Sequence, residues 1–298
     1  MEKKNQRSNE EMRKAQMELQ QREIKERLNH IKNKILVMSG KGGVGKSSVA
    51  AYLSAALAKR GYMVGLMDVD LHGPSIPRML GLKGNLRPAS HEGKMLPVRY
   101  LPNMEVISIE TLMGDKDAAT IWRGPLKGGV IRQFIADIEW DELDYMIIDS
   151  PPGTGDEPLT VAQTIPDVKA LIVTTPQEIS LADVRKSINF CRQLSMEILG
   201  MVENMSGLKC PYCGKTIDLF KTRGGAVTAE KENLRLLATL PFEPEVVKEG
   251  DAGDISLLDN DKLSITQAFD KMVDEIEKLT EKEALPNRAS RKKPLQAA

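Results

Sequence analysis

The chain has 298 residues, enough to bury a full core and suited to one large α/β domain with appendages. Its 42 Lys and Arg balance 42 Asp and Glu, and only 4% of its residues are aromatic, which argues against a protein that coats nucleic acid or stacks its bases. No apolar run reaches the length of a membrane span, the start Met1-Glu2-Lys3-Lys4 lacks the apolar core of a signal peptide, and 3 cysteines make no disulfide framework, so a cytoplasmic protein with no membrane partner is expected.

In chain order, residues 1–33 are highly charged, and Met17, Ile24, Leu28 and Ile31 form a thin apolar stripe. A helical extension, solvated or loosely docked, is expected there, ahead of a nucleotide domain over 34–282. Lys34-Ile35-Leu36-Val37-Met38 reads as a buried strand. From Ser47 to Arg60, Val49, Leu53 and Leu57 mark a helix closed by Gly61. Further strands are expected at Met63–Met67, Met104–Ile109, Tyr145–Ile148, Leu171–Thr174, Ile198–Val202 and Leu237–Leu240. Helical patterns fall at Gly128–Ile138, Leu181–Leu194, Ala226–Leu236 and Lys262–Leu279. Strands alternating with helices predict a parallel sheet covered on both faces, an α/β fold of three layers. The stretch from His72 to Pro102 is rich in Gly and Pro and reads as a surface loop; the basic tail 283–298 reads as disordered.

Between the first strand and the first helix of that domain stands Gly40-Lys41-Gly42-Gly43-Val44-Gly45-Lys46-Ser47, which fits the phosphate-binding pattern G-x-x-x-x-G-K-S/T. Glycines let the backbone wrap a phosphate with its N–H groups, and the helix N-terminus, with Ser48 in its first turn, adds a positive dipole end. Lys46 would reach the β- and γ-phosphates of ATP, and the Ser47 hydroxyl would bind Mg²⁺. Acidic residues at the carboxyl ends of strands are where such an enzyme keeps its metal and water ligands. Asp149 ends one apolar strand and leads into Ser150-Pro151-Pro152-Gly153-Thr154-Gly155-Asp156, which resembles a Walker B acid followed by a γ-phosphate-sensing loop. Asp68 and Asp70 follow another.

Lys41 is unusual, because a second lysine beside Lys46 adds repulsion unless a phosphate or carboxylate absorbs it. The run Lys41-Gly42-Gly43-Val44-Gly45-Lys46-Ser47 resembles the deviant Walker A loop of ParA/MinD-type P-loop ATPases. That resemblance implies a face-to-face homodimer in which Lys41 reaches the partner's nucleotide. It also implies that Asp68 and Asp70 belong to the first switch, that Asp70 positions the attacking water, and that Asp149 is the Mg²⁺-linked acid.

The pair in Lys209-Cys210-Pro211-Tyr212-Cys213-Gly214 has metal-ligand spacing, and Gly214 permits the left-handed turn that aims N–H groups at sulfur. Three readings compete: half a zinc knuckle, a dithiol redox pair, and two half-sites joined across a twofold axis to give four thiolates. A dimer already implied through Lys41 favours the third. Cys191 sits in a helical pattern beside Phe190 and reads as packing.

Taken together, the phosphate loop, Asp68-Val69-Asp70-Leu71-His72-Gly73-Pro74-Ser75, Trp122-Arg123-Gly124-Pro125, the Asp149–Asp156 loop, Val202-Glu203-Asn204-Met205-Ser206 and the cysteine run resemble the Mrp/ApbC/Nbp35 family of iron–sulfur cluster carrier ATPases. The resemblance implies ATP hydrolysis, a 4Fe–4S cluster bridged by Cys210 and Cys213 of two chains, Asn204 contacting adenine, and exchange with apoprotein clients and a cluster donor. The chain departs from the family in lacking a four-cysteine N-terminal motif, and Leu219-Phe220-Lys221-Thr222-Arg223-Gly224-Gly225 is poorer in glycine and more basic. The rival reading is a MinD/ParA-like spatial-positioning ATPase with a structural zinc or redox cysteine pair. It expects an amphipathic membrane anchor, where this chain has a polar basic tail, and leaves both cysteines without a task.

Overall fold

Strand β1 (Ile31–Ser39) shows why the sheet lies in the middle of the molecule. Ile35 and Val37 enter the apolar core on one side, Leu36 and Met38 the core on the other. Side chains alternate across a strand, so an apolar run is stable only when both faces are covered. The computed structural model describes residues 18–280 except 72, 83–86, 89–93, 113–123, 211 and 221–222. His72, Pro211, Trp122, Arg123, Lys221, Thr222, the start of the N-terminal segment and the basic tail lie outside the described residues.

A helix over 18–29 (α1) precedes β1, followed by α2 (Lys46–Lys59), β2 (Val64–Asp68), α3 (Ile76–Met79), β3 (Arg87–Pro88) and β4 (Met95–Leu96). Next come β5 (Val98–Leu101), β6 (Met104–Ser108), α4 (Ile109–Leu112), α5 (Gly124–Asp137), β7 (Leu143–Asp149) and α6 (Asp156–Thr164). The remaining described residues form β8 (Lys169–Thr174), α7 (Glu178–Gln193), β9 (Ile198–Glu203), β10 (Leu208–Lys209), β11 (Thr216–Ile217), α8 (Gly224–Lys231), β12 (Leu236–Thr239), α9 (Pro244–Ala252), a 3₁₀ turn (Ser256–Asp259) and α10 (Ser264–Thr280), with the loops between them.

Eight strands form the main sheet in the order β12-β9-β8-β1-β7-β2-β6-β5. Every pairing is parallel except β5 with β6, so the expected parallel sheet carries one antiparallel edge strand. That strand lies inside the stretch read as a surface loop, together with α3 and the β3–β4 hairpin. Arg99 in it is exposed and its other residues are only partly buried, which leaves little apolar signal. Helices α2 and α10 cover one face, where Tyr52 stacks on Phe269 with ring centroids 5.7 Å apart and Met272, Val273 and Ile276 are buried. Each such side chain contributes roughly 1.5–3 kcal/mol. Helices α5 and α6 cover the other face through Ile131, Phe134 and Val161.

Helix α1 places Ile24 and Leu28 in that second core, and Glu23 pairs with Lys94 at 3.4 Å. This part of the segment is docked, and β1 starts at Ile31, ahead of the Lys34 expected from sequence. Helices α6 and α9 have no counterpart among the expected helices. Helix α9 is nine residues long, carries Gly250 and buries none of its residues, so the run is too short and too interrupted to read clearly as a helix. The functional consequence of the topology lies at the carboxyl edge of the sheet. Strands β2, β7 and β1 are neighbours there, with Asp68 in register with Asp149 and Asp149 with Val37.

Candidate nucleotide and metal site

The phosphate loop runs from the end of β1 into α2, and its glycines do distinct work. Gly43 and Gly45 both have φ 78°, the left-handed region that a side chain makes costly. A Cβ on Gly40 would lie 2.3 Å from the backbone of Asp183, so α7 packs directly against the loop. No side chain caps α2 at Gly45, and the open N–H groups of its first turn face the place a phosphate would take. Gly42 and Gly43 are exposed, whereas Val44 is buried and anchors the loop.

Lys46 is 6% exposed and its Nζ donates to Asp149 Oδ1 at 2.5 Å and to Ser47 Oγ at 3.1 Å. Asp149 and Asp68 are both fully buried. Burial and the neighbouring Asp149 push the Asp68 carboxyl well above the usual carboxylate range. Burial raises Asp149 as well, while Lys46 and Ser47 pull it down. Asp68 Oδ2 accepts from Ser108 at 3.2 Å and Oδ1 from the Asp70 backbone at 3.0 Å. Asp149 Oδ2 has no hydrogen-bond partner among the described residues. A buried, unsatisfied carboxylate oxygen beside a serine hydroxyl and a second carboxylate is a set of hard oxygen donors that fits Mg²⁺.

The other expected residues surround this centre. Asp70 accepts from the Gly73 backbone at 3.1 Å, on the segment leading to α3. Gly153, φ 89°, donates to Ser39 O at 2.8 Å and so ties the loop after β7 to the end of β1. Asn204 follows β9; its Nδ2 donates to Val44 O at 2.9 Å, and a Cβ on Gly45 would lie 2.3 Å from that nitrogen. Lys41 is held within its own chain by Gln177 Oε1 at 3.2 Å. Gln177 was not among the residues the sequence singled out, because nothing in its local pattern marks it.

The cysteine run forms the tip of the β10–β11 hairpin. Cys210 N donates to Lys215 O and Gly214 N to Cys210 O, both at 2.9 Å, with Gly214 at φ 69°. Backbone hydrogen bonding from Cys213, then from Tyr212, holds the Cys210 thiol below its usual range. Cys213 and Tyr212 are exposed, and among the described residues no group of three or more His, Cys, Asp or Glu side chains is placed to hold a metal. Cys191 is fully buried, and burial pushes its thiol up to about 12, which makes it an inert packing residue.

Residues 30–277 match the model of the ParA-type family described as NUBPL iron-transfer P-loop NTPase. The chain belongs to that family. It is 44% identical over 258 residues to the iron-sulfur cluster carrier protein of Methanocaldococcus jannaschii, covering 86% of this chain and 88% of the relative. It is 48% identical over 225 residues to the cytosolic Fe-S cluster assembly factor NUBP2 homolog of Dictyostelium discoideum, covering 74% of this chain and 84% of that protein. Among solved structures, the nucleotide-binding protein of Archaeoglobus fulgidus in complex with ADP, with Co, aligns with TM-score 0.69 and 41% identity over 78% of this chain and 91% of its own. The cell division ATPase MinD of Pyrococcus furiosus aligns with TM-score 0.61 and 25% identity over 83% and 99%. The family's nucleotide fold thus accounts for the sheet edge on which the loop, Asp68 and Asp149 converge. Among the described residues, no helix is long and apolar enough to cross a membrane.

Proposed function

We propose that this chain is an ATP-hydrolysing iron–sulfur cluster carrier that works as a homodimer. Its cargo is a 4Fe–4S cluster held by Cys210 and Cys213 of two copies and passed to apoproteins. The observation that carries the reading is the half-site: a surface hairpin presents two free thiols, and the described residues bring no third ligand near. Two chains then complete four thiolates. The names of the Methanocaldococcus and Dictyostelium relatives support a cluster as cargo. The MinD-like reading shares the fold and leaves the hairpin unused.

In this reading the loop amides and the α2 N-terminus receive the β- and γ-phosphates. Lys46 exchanges Asp149 for phosphate. Ser47, Asp149 and Asp68 are the residues that would hold Mg²⁺, which supplies charge neutralisation at the phosphates when bound. Asp70 orients the attacking water, and Lys41 leaves Gln177 to meet the partner's nucleotide.

The test is iron and acid-labile sulfide per dimer after anaerobic reconstitution. The expectation is about four irons per dimer, from one cluster of the four-iron type. Cys210→Ser and Cys213→Ser should each abolish stable binding, because either removes two of the four ligands at once, and Cys191→Ser should change nothing. Loss of iron in Cys191→Ser, or a monomer that keeps a full cluster, refutes the bridged site.

A further inference from the structure

Glu203 is a carboxylate the nucleotide chemistry does not use. It is the last residue of β9, 1% exposed, and in register with Thr174 of β8 and Thr239 of β12. Its two oxygens go to opposite ends of one excursion of the chain. Oε1 accepts from the Ser206 hydroxyl at 2.7 Å, where the chain leaves the sheet, and Oε2 from the Gly225 backbone N–H at 2.5 Å, where it returns. Between those points lies the hairpin with Cys210 and Cys213.

Both ends of the excursion are close-fitted. A Cβ on Gly225 would lie 2.8 Å from Glu203 Oε2, and one on Gly224 would lie 2.6 Å from the Pro176 carbonyl oxygen. Helix α8 has no side-chain cap from its own N-cap residue, Arg223, so the Glu203 carboxylate meets the positive end of its dipole. At the entry, Ser206 N donates to Leu240 O and Phe242 N to Gly207 O, at 2.9 and 2.8 Å.

The same corner also touches the phosphate loop. Asn204, next to Glu203, is fixed by its backbone to Thr174 O at 2.8 Å and by its side chain to Val44 O. Met205 then holds φ 57°, a left-handed conformation that costs a non-glycine residue about 1–3 kcal/mol and persists only where surroundings impose it. Pro176, against which Gly224 packs, precedes the Gln177 that holds Lys41. Asn204 thus touches the phosphate loop at Val44 and Gly45, and a shift of the loop on nucleotide binding would be passed to the corner through it.

We propose that Glu203 is the positioning residue that couples nucleotide at the phosphate loop to the geometry of the cysteine hairpin, by holding both ends of the excursion on one carboxylate. The inference takes its biological meaning from the reading of Cys210 and Cys213 as cargo ligands. Its test uses the cluster-free protein and is decided separately from that reading.

The experiment follows alkylation of each thiol by N-ethylmaleimide in the reduced full chain, resolved by mass spectrometry, with no nucleotide, with saturating Mg–ADP, and with Mg²⁺ and a non-hydrolysable ATP analogue. In the unaltered protein, nucleotide should change the rates at Cys210 and Cys213 by about fivefold or more. In Glu203→Ala that ratio should collapse to unity, with the nucleotide-free rate raised roughly tenfold by loss of a charge-assisted hydrogen bond. Glu203→Gln should keep most of the response, because its amide oxygen still accepts from Gly225 and its NH₂ can donate to Ser206. Cys191, fully buried, reports unfolding by its own alkylation. If Glu203→Ala exposes it, Ser206→Ala replaces that variant and should lower the ratio on its own. An unaltered protein whose thiols ignore nucleotide, an alanine variant with the full ratio, or a glutamine variant as uncoupled as alanine each overturns the proposal.

Discussion

Lys46→Met keeps the aliphatic stem of the lysine and removes its charge, and the effect on the nucleotide-free protein follows from what Lys46 touches. Asp149 loses the donor at 2.5 Å, and Asp149 and Asp68 remain adjacent with no exposure to water. Removing one partner of a buried pair costs about 3–5 kcal/mol while the orphan stays charged. Asp149 reduces that cost by taking up a proton, and the relief grows by about 1.4 kcal/mol for each pH unit that the solution lies below the carboxyl's raised pKa. The sign is fixed by burial: it raises both carboxyls already, so the folded chain binds more protons than the unfolded one. Stability held below the unfolded carboxylate value is therefore lost as pH rises through the folded value, and losing Lys46 deepens that loss. The variant should match the unaltered protein closely near pH 5. At pH 8 it should be less stable by about 3 kcal/mol, a drop of about 6–12 °C in Tm. Thermal unfolding of nucleotide-free protein at the two pH values decides it. An equal deficit at both, or none, refutes the picture of Lys46 as counter-charge to the buried carboxyl pair. ATP hydrolysis should be lost in the same variant.

Lys41→Ala should lower ATP hydrolysis more than nucleotide affinity, since its hydrogen bond to Gln177 lies within one chain and its proposed contact only in the closed dimer; equal losses, measured by steady-state kinetics beside ADP titration, refute that role. Gly45→Ala should destabilise the chain by about 1–2 kcal/mol through its left-handed backbone and weaken ADP binding by pushing Asn204 off the loop. Unchanged ADP affinity would remove Asn204 from the loop's support.

The sheet was legible because its strands are buried on both faces and read as unbroken apolar runs: Ile35 to Met38 and Tyr145 to Ile148 are visible without any partner. The phosphate loop was legible because backbone geometry dictates its glycines. Elements at the margin were not. β5 is four residues long and at most partly buried, and α9 is nine residues long with Gly250 inside it, so neither gives a run long enough to read clearly. Ile24 and Leu28 of α1 were visible as a stripe, but two apolar residues among many charges do not say whether a core awaits them. Glu203 and Gln177 were illegible in a different way. Each is an ordinary polar residue until the fold brings Gly225 or Lys41 within hydrogen-bond distance.

The two chemistries are built on opposite physical terms. In the proposed function, phosphate chemistry would fall where Asp68, Asp149 and Lys46 are excluded from water, so each charge acts strongly and is held by neighbours that cannot move without cost. The thiols sit on a hairpin of two short strands, outside the apolar cores, with Tyr212 96% exposed between them. A ligand set in water, on a segment fixed only at its base, is easy to approach and easy to exchange, which suits a cargo site and would ill suit a permanent structural metal. Its geometry must then be imposed from the base, and the residues there, Glu203 and Ser206, flank the asparagine that touches the phosphate loop. On the proposed reading, the exposure would let a cargo leave and the anchorage would let nucleotide govern its leaving, as two ends of one chain segment.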